Sequence, residues 1–449
     1  MSLRASRRTF VKSFVAAGAV VPFTAASYGR IAGANDKLRV ASIGTGGKGK
    51  SDLDGVAASP SVGVTALCNI DSTKPHLGWA AEKYASAKTY VDWRKTLDDA
   101  KDFDAVIVST PDHMHAPIGL AAMAQGKHVF CQKPLTHTLH EARQMTLAAR
   151  KAGVVTQMGN QIQSHEAYRT AVLMVHAGLI GKVKAVHSWQ GGIPRWPRAL
   201  ERPTQVDPVP ETVAWDLWLG VAPERPYVKD MYHSFNWRGW QDFGTGQLGD
   251  FGCHILDPVF KALKLTAPTK AIGEAPAMNK ESWTKWATVR YEFPKNPFID
   301  GETLPLTWYD GDGITAPREA LTDIPATEKL PGSGSALVGE KGTLVVPHVA
   351  LPKLYPTGYT GGPLPSLPKV EAVDHYVQFA DACRGVGKTT SHFDYAGPLT
   401  EAVMLGVIAV RVPRQELIWD AASLKITNNE AAQQLVTKPY RKGWEPRWV

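Results

Sequence analysis

The run Gly44-Thr45-Gly46-Gly47-Lys48-Gly49 follows the apolar stretch beginning at Leu38 and opens a helical pattern, so the chain must turn sharply from a β-strand into an α-helix there. The glycines stand in G-x-G-x-x-G spacing. Gly44 permits the tight turn, Gly46 lets the backbone approach a pyrophosphate, and Gly49 allows close helix-to-strand packing over the helix N-terminus. Gly47 completes the loop and joins these three as a cofactor-binding residue. A strand, this turn and a helix together predict a dinucleotide-binding unit.

From Lys37 to about Gly159, short apolar runs alternate with helical patterns, as in a parallel sheet with crossover helices. The strands read as Leu38 to Gly44, Val62 to Ile70, Ala105 to Thr110, Lys127 to Cys131 and Val154 to Met158. Amphipathic stretches such as Pro117 to Gln125 and Leu139 to Lys151 lie between them. A residue about twenty positions past the glycines, at the end of the second strand, normally holds the adenosine ribose. Asn69 and Asp71 are the candidates, and Asp71 could instead cap the following helix. Asn69 lacks the charge that repels a 2'-phosphate, so both NAD and NADP are compatible with the sequence. Thr110-Pro111-Asp112-His113-Met114-His115 follows one strand and Cys131-Gln132-Lys133-Pro134 the next, which puts both at carboxyl ends, where open parallel sheets bind ligands. Lys133 there is suited to support alkoxide character on a substrate oxygen.

After Gln161 the pattern becomes α+β: a helix from His165 to Ala177, a strand from Lys184 to Gln190, then tryptophan-rich loops. Later strands read as Trp286 to Phe293, Leu304 to Tyr309 and Gly342 to Val346, in a largely antiparallel sheet. Segments 311–336 and 352–370 read as surface loops, and 372–384 and 397–412 as helices. Asp250 and His254 are four apart, so on a helix they share one face. Histidine suits removal of a hydroxyl proton near neutral pH, with Asp250 or Asp257 as the orienting carboxylate. Trp189, Arg195, Trp196, His233, Trp237, Arg238 and Trp240 offer aromatic faces and polar groups suited to carbohydrate rings; any single tryptophan reads first as core packing, and the cluster from Tyr232 to Trp240 ahead of Asp250 reads as a pocket wall.

Residues 1–34 carry Ser6-Arg7-Arg8-Thr9-Phe10-Val11-Lys12, an uncharged stretch to Gly29 and small residues where a peptidase can cut, after Ala26 or Ala34. This reads as a twin-arginine leader, too short and mild to anchor the chain in a membrane. It implies the twin-arginine export machinery as a partner and a periplasmic or secreted location. The leader holds five cations and no acid, so the formal charge of +8 falls to +3 without it. That surplus gives no reason to invoke nucleic acid. The four cysteines are far apart, read as free thiols, and have no zinc spacing; no metal is predicted.

With these residues in place, the chain resembles the Gfo/Idh/MocA oxidoreductase family over nearly its whole mature length. The resemblance rests on the glycine fingerprint, Thr110-Pro111 with His115, Gln132-Lys133-Pro134, and Gly246-Gln247-Leu248-Gly249-Asp250 running into His254 and Asp257. It implies a Rossmann domain (35–160) that binds NAD or NADP through the glycine loop, residues 69 or 71, Thr110, Pro111, His115, Gln132 and Lys133. A C-terminal α+β domain (161–449) would follow, with a large open-faced sheet that shapes the substrate pocket and often mediates homo-oligomer contacts. Lys133 and His254 would be the catalytic pair, and Asp250 would contact a sugar or polyol; Trp237 and Arg238 are the substrate-wall candidates. Two departures stand out: Gln132 replaces the usual Glu, and Asn69 stands where many relatives have Asp. The implied activity is hydride transfer between a carbohydrate hydroxyl and a tightly bound nicotinamide. Glycoside cleavage through a transient keto-sugar and non-catalytic sugar binding are the alternatives.

Overall fold

The computed structural model describes residues 37–192 and 194–445; the leader predicted for 1–34 lies outside the described residues. Six strands, β1 (Leu38–Ile43), β2 (Val62–Cys68), β3 (Lys88–Tyr90), β4 (Ala105–Val108), β5 (His128–Cys131) and β6 (Thr156–Met158), form a sheet in the order β3-β2-β1-β4-β5-β6. Every neighbour is parallel. β4 and β5 are buried along their whole length, which is why their sequences are continuously apolar rather than alternating. Helices α1 (Lys48–Ala57), α2 (His115–Ala124) and α3 (Leu139–Ala152) serve as crossovers. Local chemistry fixes α3 at both ends: Thr138 and Glu141 form a capping box, and Gly153 ends it at φ 60°. Strand order reverses between β1 and β4. The crevice outside their carboxyl ends therefore opens between Gly44 and Ser109, the place where such sheets bind ligands.

The second sheet has nine strands, β7 (Val183–Gln190), β8 (Lys270–Glu274), β9 (Ala287–Pro294), β10 (Thr303–Asp310), β11 (Ser333–Gly339), β12 (Gly342–Pro347), β13 (Lys353–Pro356), β14 (Glu416–Asp420) and β15 (Lys425–Ile426), ordered β13-β12-β11-β7-β10-β9-β8-β14-β15. Only the β7–β10 pair is parallel. Burial alternates along β9, β10 and β14, so one face meets the core and the other turns outward. Helices α4 (Glu166–His176), α5 (Gly246–Ile255), α6 (Asp257–Leu263) and α8 (Phe393–Arg411) cover the inner face. α8 is apolar and long enough to cross a membrane by composition, but 83% of its apolar window is buried in this core.

Two sequence expectations are corrected. The segments read as loops contribute strand: β11 begins at Ser333, and β13 spans Lys353–Pro356. Late in the chain, α7 (His375–Cys383) packs back against the Rossmann sheet. Its Phe379, Ala380 and Cys383 share one core with Leu38, Val40 and Phe130. All four cysteines are free and buried.

Candidate active site

The glycine turn follows β1 as its spacing requires. Gly44 sits at φ +86°, and a Cβ at Gly49 would lie 2.8 Å from the Gly44 carbonyl carbon and closer still to its oxygen. Gly47, at φ +52°, caps α1, and a Cβ there would meet open space. Because α1 starts without a side-chain cap, its N-terminus is free to receive an anion. These features fit a dinucleotide. Gly46 lines the cavity as well, and a Cβ there would stand 2.9 Å from His76 Cε1, so this glycine also makes room for an imidazole.

Asn69 lines the cavity, donates to Thr45 Oγ1 at 3.2 Å and accepts the Asp71 amide at 3.0 Å. Asp71 turns away. Its Oδ1 accepts the Thr73 amide (2.9 Å) and hydroxyl (2.5 Å), and its Oδ2 lies 2.7 Å from His233 Nε2. Of the two ribose candidates, Asn69 alone faces the cavity.

Thr110, Pro111, Gln132 and Lys133 line the same cavity. His115 sits behind it, with ring nitrogens 2.8 Å from the carbonyls of Thr110 and Pro134. Burial pulls its pKa down to about 4, and both ring nitrogens face backbone carbonyls of the two site loops, so the imidazole is directed at those loops and does not line the cavity. Gln132 Nε2 donates to Asp52 Oδ2 at 2.9 Å. Asp52 also accepts from Lys48 (2.6 Å), Ser109 (2.7 Å) and Tyr376 (3.1 Å), and it is fully buried. The departure from Glu at 132 thus has a physical reason: a buried carboxylate already occupies the space beside it.

α5 places Asp250 and His254 on one face. Lys133, followed by a cis Lys133–Pro134 peptide, donates from Nζ to Asp250 Oδ1 and to the Asp250 carbonyl, both at 2.7 Å. Arg238 Nε lies 3.5 Å from the same Oδ1. Burial would raise the Asp250 pKa, but these two cations hold it below the usual carboxylate range. Burial and then the Lys133 charge keep His254 well below the ordinary histidine value, so it is neutral. Its Nδ1 has no partner among the described residues. Asp257 does not orient it; that carboxylate instead accepts from Asn160 (3.1 Å), Gln163 (2.7 Å) and Tyr395 (2.6 Å), and burial raises it to about 6.

Several site residues carry no sequence signal. His348, from the chain after β12, stacks obliquely 5.6 Å from His254, and its Nδ1 lies 2.9 Å from the Tyr168 hydroxyl. Asp112, inside the Thr-Pro motif, accepts the amide and hydroxyl of Thr245 (3.1 and 2.7 Å), while burial raises its pKa to about 7. The aromatic wall divides. Trp237, Trp196 and Arg238 line the cavity, with the guanidinium 4.2 Å from the Trp237 ring centre. Trp189 and Trp240 are fully buried core residues, whose indoles donate to the carbonyls of Pro331 and Met231. Amide oxygens of Gln161, Gln190 and Gln247, the Gln247 amide nitrogen and the Trp196 indole nitrogen are buried without hydrogen-bond partners among the described residues, on residues lining a cavity of about 780 Å³. Gln247 lies one helical turn before Asp250.

Comparison with known proteins places this geometry. Residues 38–160 match a family model described as an oxidoreductase family NAD-binding Rossmann fold, and residues 174–307 match its C-terminal alpha/beta domain. A levoglucosan dehydrogenase of Pseudarthrobacter phenanthrenivorans is 31% identical over 69% of this chain and 73% of its own length. An inositol 2-dehydrogenase of Salmonella typhimurium is 31% identical over 33% of this chain and 45% of its own. Among solved structures, the WlbA dehydrogenase of Chromobacterium violaceum, in complex with NADH and UDP-GlcNAcA, shares the fold with a TM-score of 0.60 at 16% identity, covering 86% of this chain and 97% of that one. With a glycine turn and Lys133 at the carboxyl ends of a Rossmann sheet, and Asp250 and His254 facing them from α5, this enzyme belongs to the Gfo/Idh/MocA oxidoreductase family.

Proposed function

We propose that this chain is an exported oxidoreductase that moves hydride between a hydroxyl-bearing carbon of a neutral sugar or polyol and a tightly held NAD or NADP. The observation that carries the reading is the meeting of Lys133, Asp250 and a neutral His254, its Nδ1 without a hydrogen-bond partner among the described residues, in one cavity with the glycine turn. A nicotinamide, when bound, supplies the two-electron acceptor. The residues do the rest. Lys133, anchored by Asp250, faces the substrate oxygen and stabilises negative charge as it develops. His254 takes the hydroxyl proton while the carbon–hydrogen electron pair departs as hydride. Because its imidazole is held weakly basic, proton transfer depends on the acidifying charge of Lys133.

The substrate class follows from the polar lining. Buried amide and indole atoms without protein partners are costly unless a ligand satisfies them, and Gln161, Gln190, Gln247 and Trp196 present such atoms as neutral donors and acceptors. Hydroxyl groups match them, and the apolar wall of Trp237 suits a sugar ring. The names of the levoglucosan and inositol dehydrogenases agree with this class. The twin-arginine pattern of residues 1–34 supports a location outside the cytoplasm, where no nucleotide pool would replenish the enzyme; a resident cofactor reoxidised by a second carbohydrate fits that setting.

The test is to purify the mature protein without added nucleotide, denature it and identify what is released by mass. Stoichiometric NAD or NADP is the expected result, and an empty protein that binds neither sinks the reading. Lys133→Ala and His254→Ala should retain the nucleotide while kcat/KM falls by about 100-fold or more with sugar substrates.

A further inference from the structure

Sequence spacing shows no metal motif, but the fold gathers one from distant positions. Asp71 and His76 flank the loop after β2, and His233 arrives from the loop that precedes α5. One ligand atom from each lies within 4.8 Å of the others. Both imidazoles aim Nε2 at the same carboxylate oxygen, Asp71 Oδ2, at 2.7 Å from His233 and 3.4 Å from His76. The other oxygen, Oδ1, is saturated by the Thr73 amide and hydroxyl, which fixes the carboxylate and leaves Oδ2 for the histidines. All three side chains are largely buried, with exposures of 6% for Asp71, 16% for His76 and 12% for His233.

We propose that Asp71, His76 and His233 form a site for one divalent first-row transition ion, with Zn2+ as its probe. Two imidazole nitrogens and one carboxylate oxygen are a zinc-type donor set, and ligand atoms around such an ion stand about 3.3 Å apart when each bond is about 2.0 Å. The His76 to Asp71 separation of 3.4 Å is close to that value, and His233, at 2.7 Å, needs to withdraw by about 0.6 Å. His76 and His233 also line the large cavity, so a fourth coordination position faces its interior. Two ligands come from the Rossmann unit and one from the second domain, making the ion a clip across the cofactor end of the cleft. This role is separate from the Lys133, Asp250 and His254 chemistry and does not depend on it.

Zn2+ is titrated calorimetrically into full-length mature protein stripped with chelator and freed of nucleotide, beside the His76→Ala and His233→Ala variants. The expected result is one equivalent bound by the wild type with micromolar or tighter affinity, and affinity at least about tenfold weaker in each variant. Zn2+ should raise the wild-type melting temperature and leave that of the variants unchanged. A Co2+-loaded sample gives an independent reading through its visible absorption band. If the wild type shows no saturable single-site binding, the proposal is overturned whatever the variants do. Equal Zn2+ affinity in wild type and folded variants overturns it as well, because the ion then sits elsewhere.

Discussion

Gln132 and Asp52 divide between them a role that the family resemblance assigns to one acid. The carboxylate sits on α1, three residues past the last glycine of the turn, and residue 132 is the neutral donor to it. Introducing Gln132→Glu would bring a second carboxylate against buried Asp52 Oδ2, at a position that is itself only 5% exposed. The expected cost is about 3 kcal/mol or more in unfolding free energy, recovered in large part when Asp52→Asn is added, as a double-mutant cycle would measure. A silent Gln132→Glu would show that the Asp52 contact does not matter. His254 gives a prediction of opposite character. Its pKa is lowered from 6.5, so the base form persists as pH falls through the ordinary histidine range. The acid limb of kcat/KM due to His254 should therefore lie below pH 6.5, and a limb at or above that value, abolished by His254→Ala, would contradict the burial argument.

At the scale of elements, reading was most successful where periodicity is local. The spacing of Asp250 and His254 predicted a shared helical face, and α5 supplies it. The glycine spacing predicted a strand, a turn and a helix, and β1 and α1 follow. What escaped were short elements whose partners are far along the chain: β8 and β14 have five residues each and pair with one another across roughly 145 positions. Long separation also hid His348 from His254, 94 positions apart, and His233 from Asp71, 162 apart. Element packing also ranks the glycines. In Gly49→Ala the new methyl meets backbone of Gly44, which has nowhere to retreat, so α1 must leave β1. In Gly47→Ala it meets open space, and the cost is backbone strain at φ +52° and ψ −116°, outside the left-handed helical region, about 1 to 3 kcal/mol. Nucleotide affinity and melting temperature should both fall much further for Gly49→Ala than for Gly47→Ala; the reverse order would mean that α1 is not held by this contact.

For the whole molecule, the consequence of α7 is that the Rossmann domain is not finished until late in the chain. Phe130 on β5 is covered by Tyr376 and Phe379, with ring centres 5.5 and 5.7 Å away, and Gly55 of α1 is packed under the Tyr376 ring. The Tyr376 hydroxyl reaches Asp52 and Lys48 as well, so the same helix joins the polar network beside the glycine turn. On the other side of the sheet, Arg143 of α3 holds Glu401 of α8 through two hydrogen bonds, at 2.7 and 2.8 Å. A fragment spanning 37–160 would keep all six parallel strands yet expose apolar surface on both helical layers. We expect that fragment to aggregate, or to stay compact without near-ultraviolet circular dichroism, and to bind no NAD, whereas the full mature chain unfolds cooperatively and binds it. A fragment that folds cooperatively and binds NAD would establish two independent domains. The outcome bears on catalysis, because Lys133 belongs to the first sheet and Asp250 to the second domain, and their 2.7 Å contact can be held only as firmly as the two are held together. By crossing back to complete the first core, α7 and α8 fix that geometry through packing.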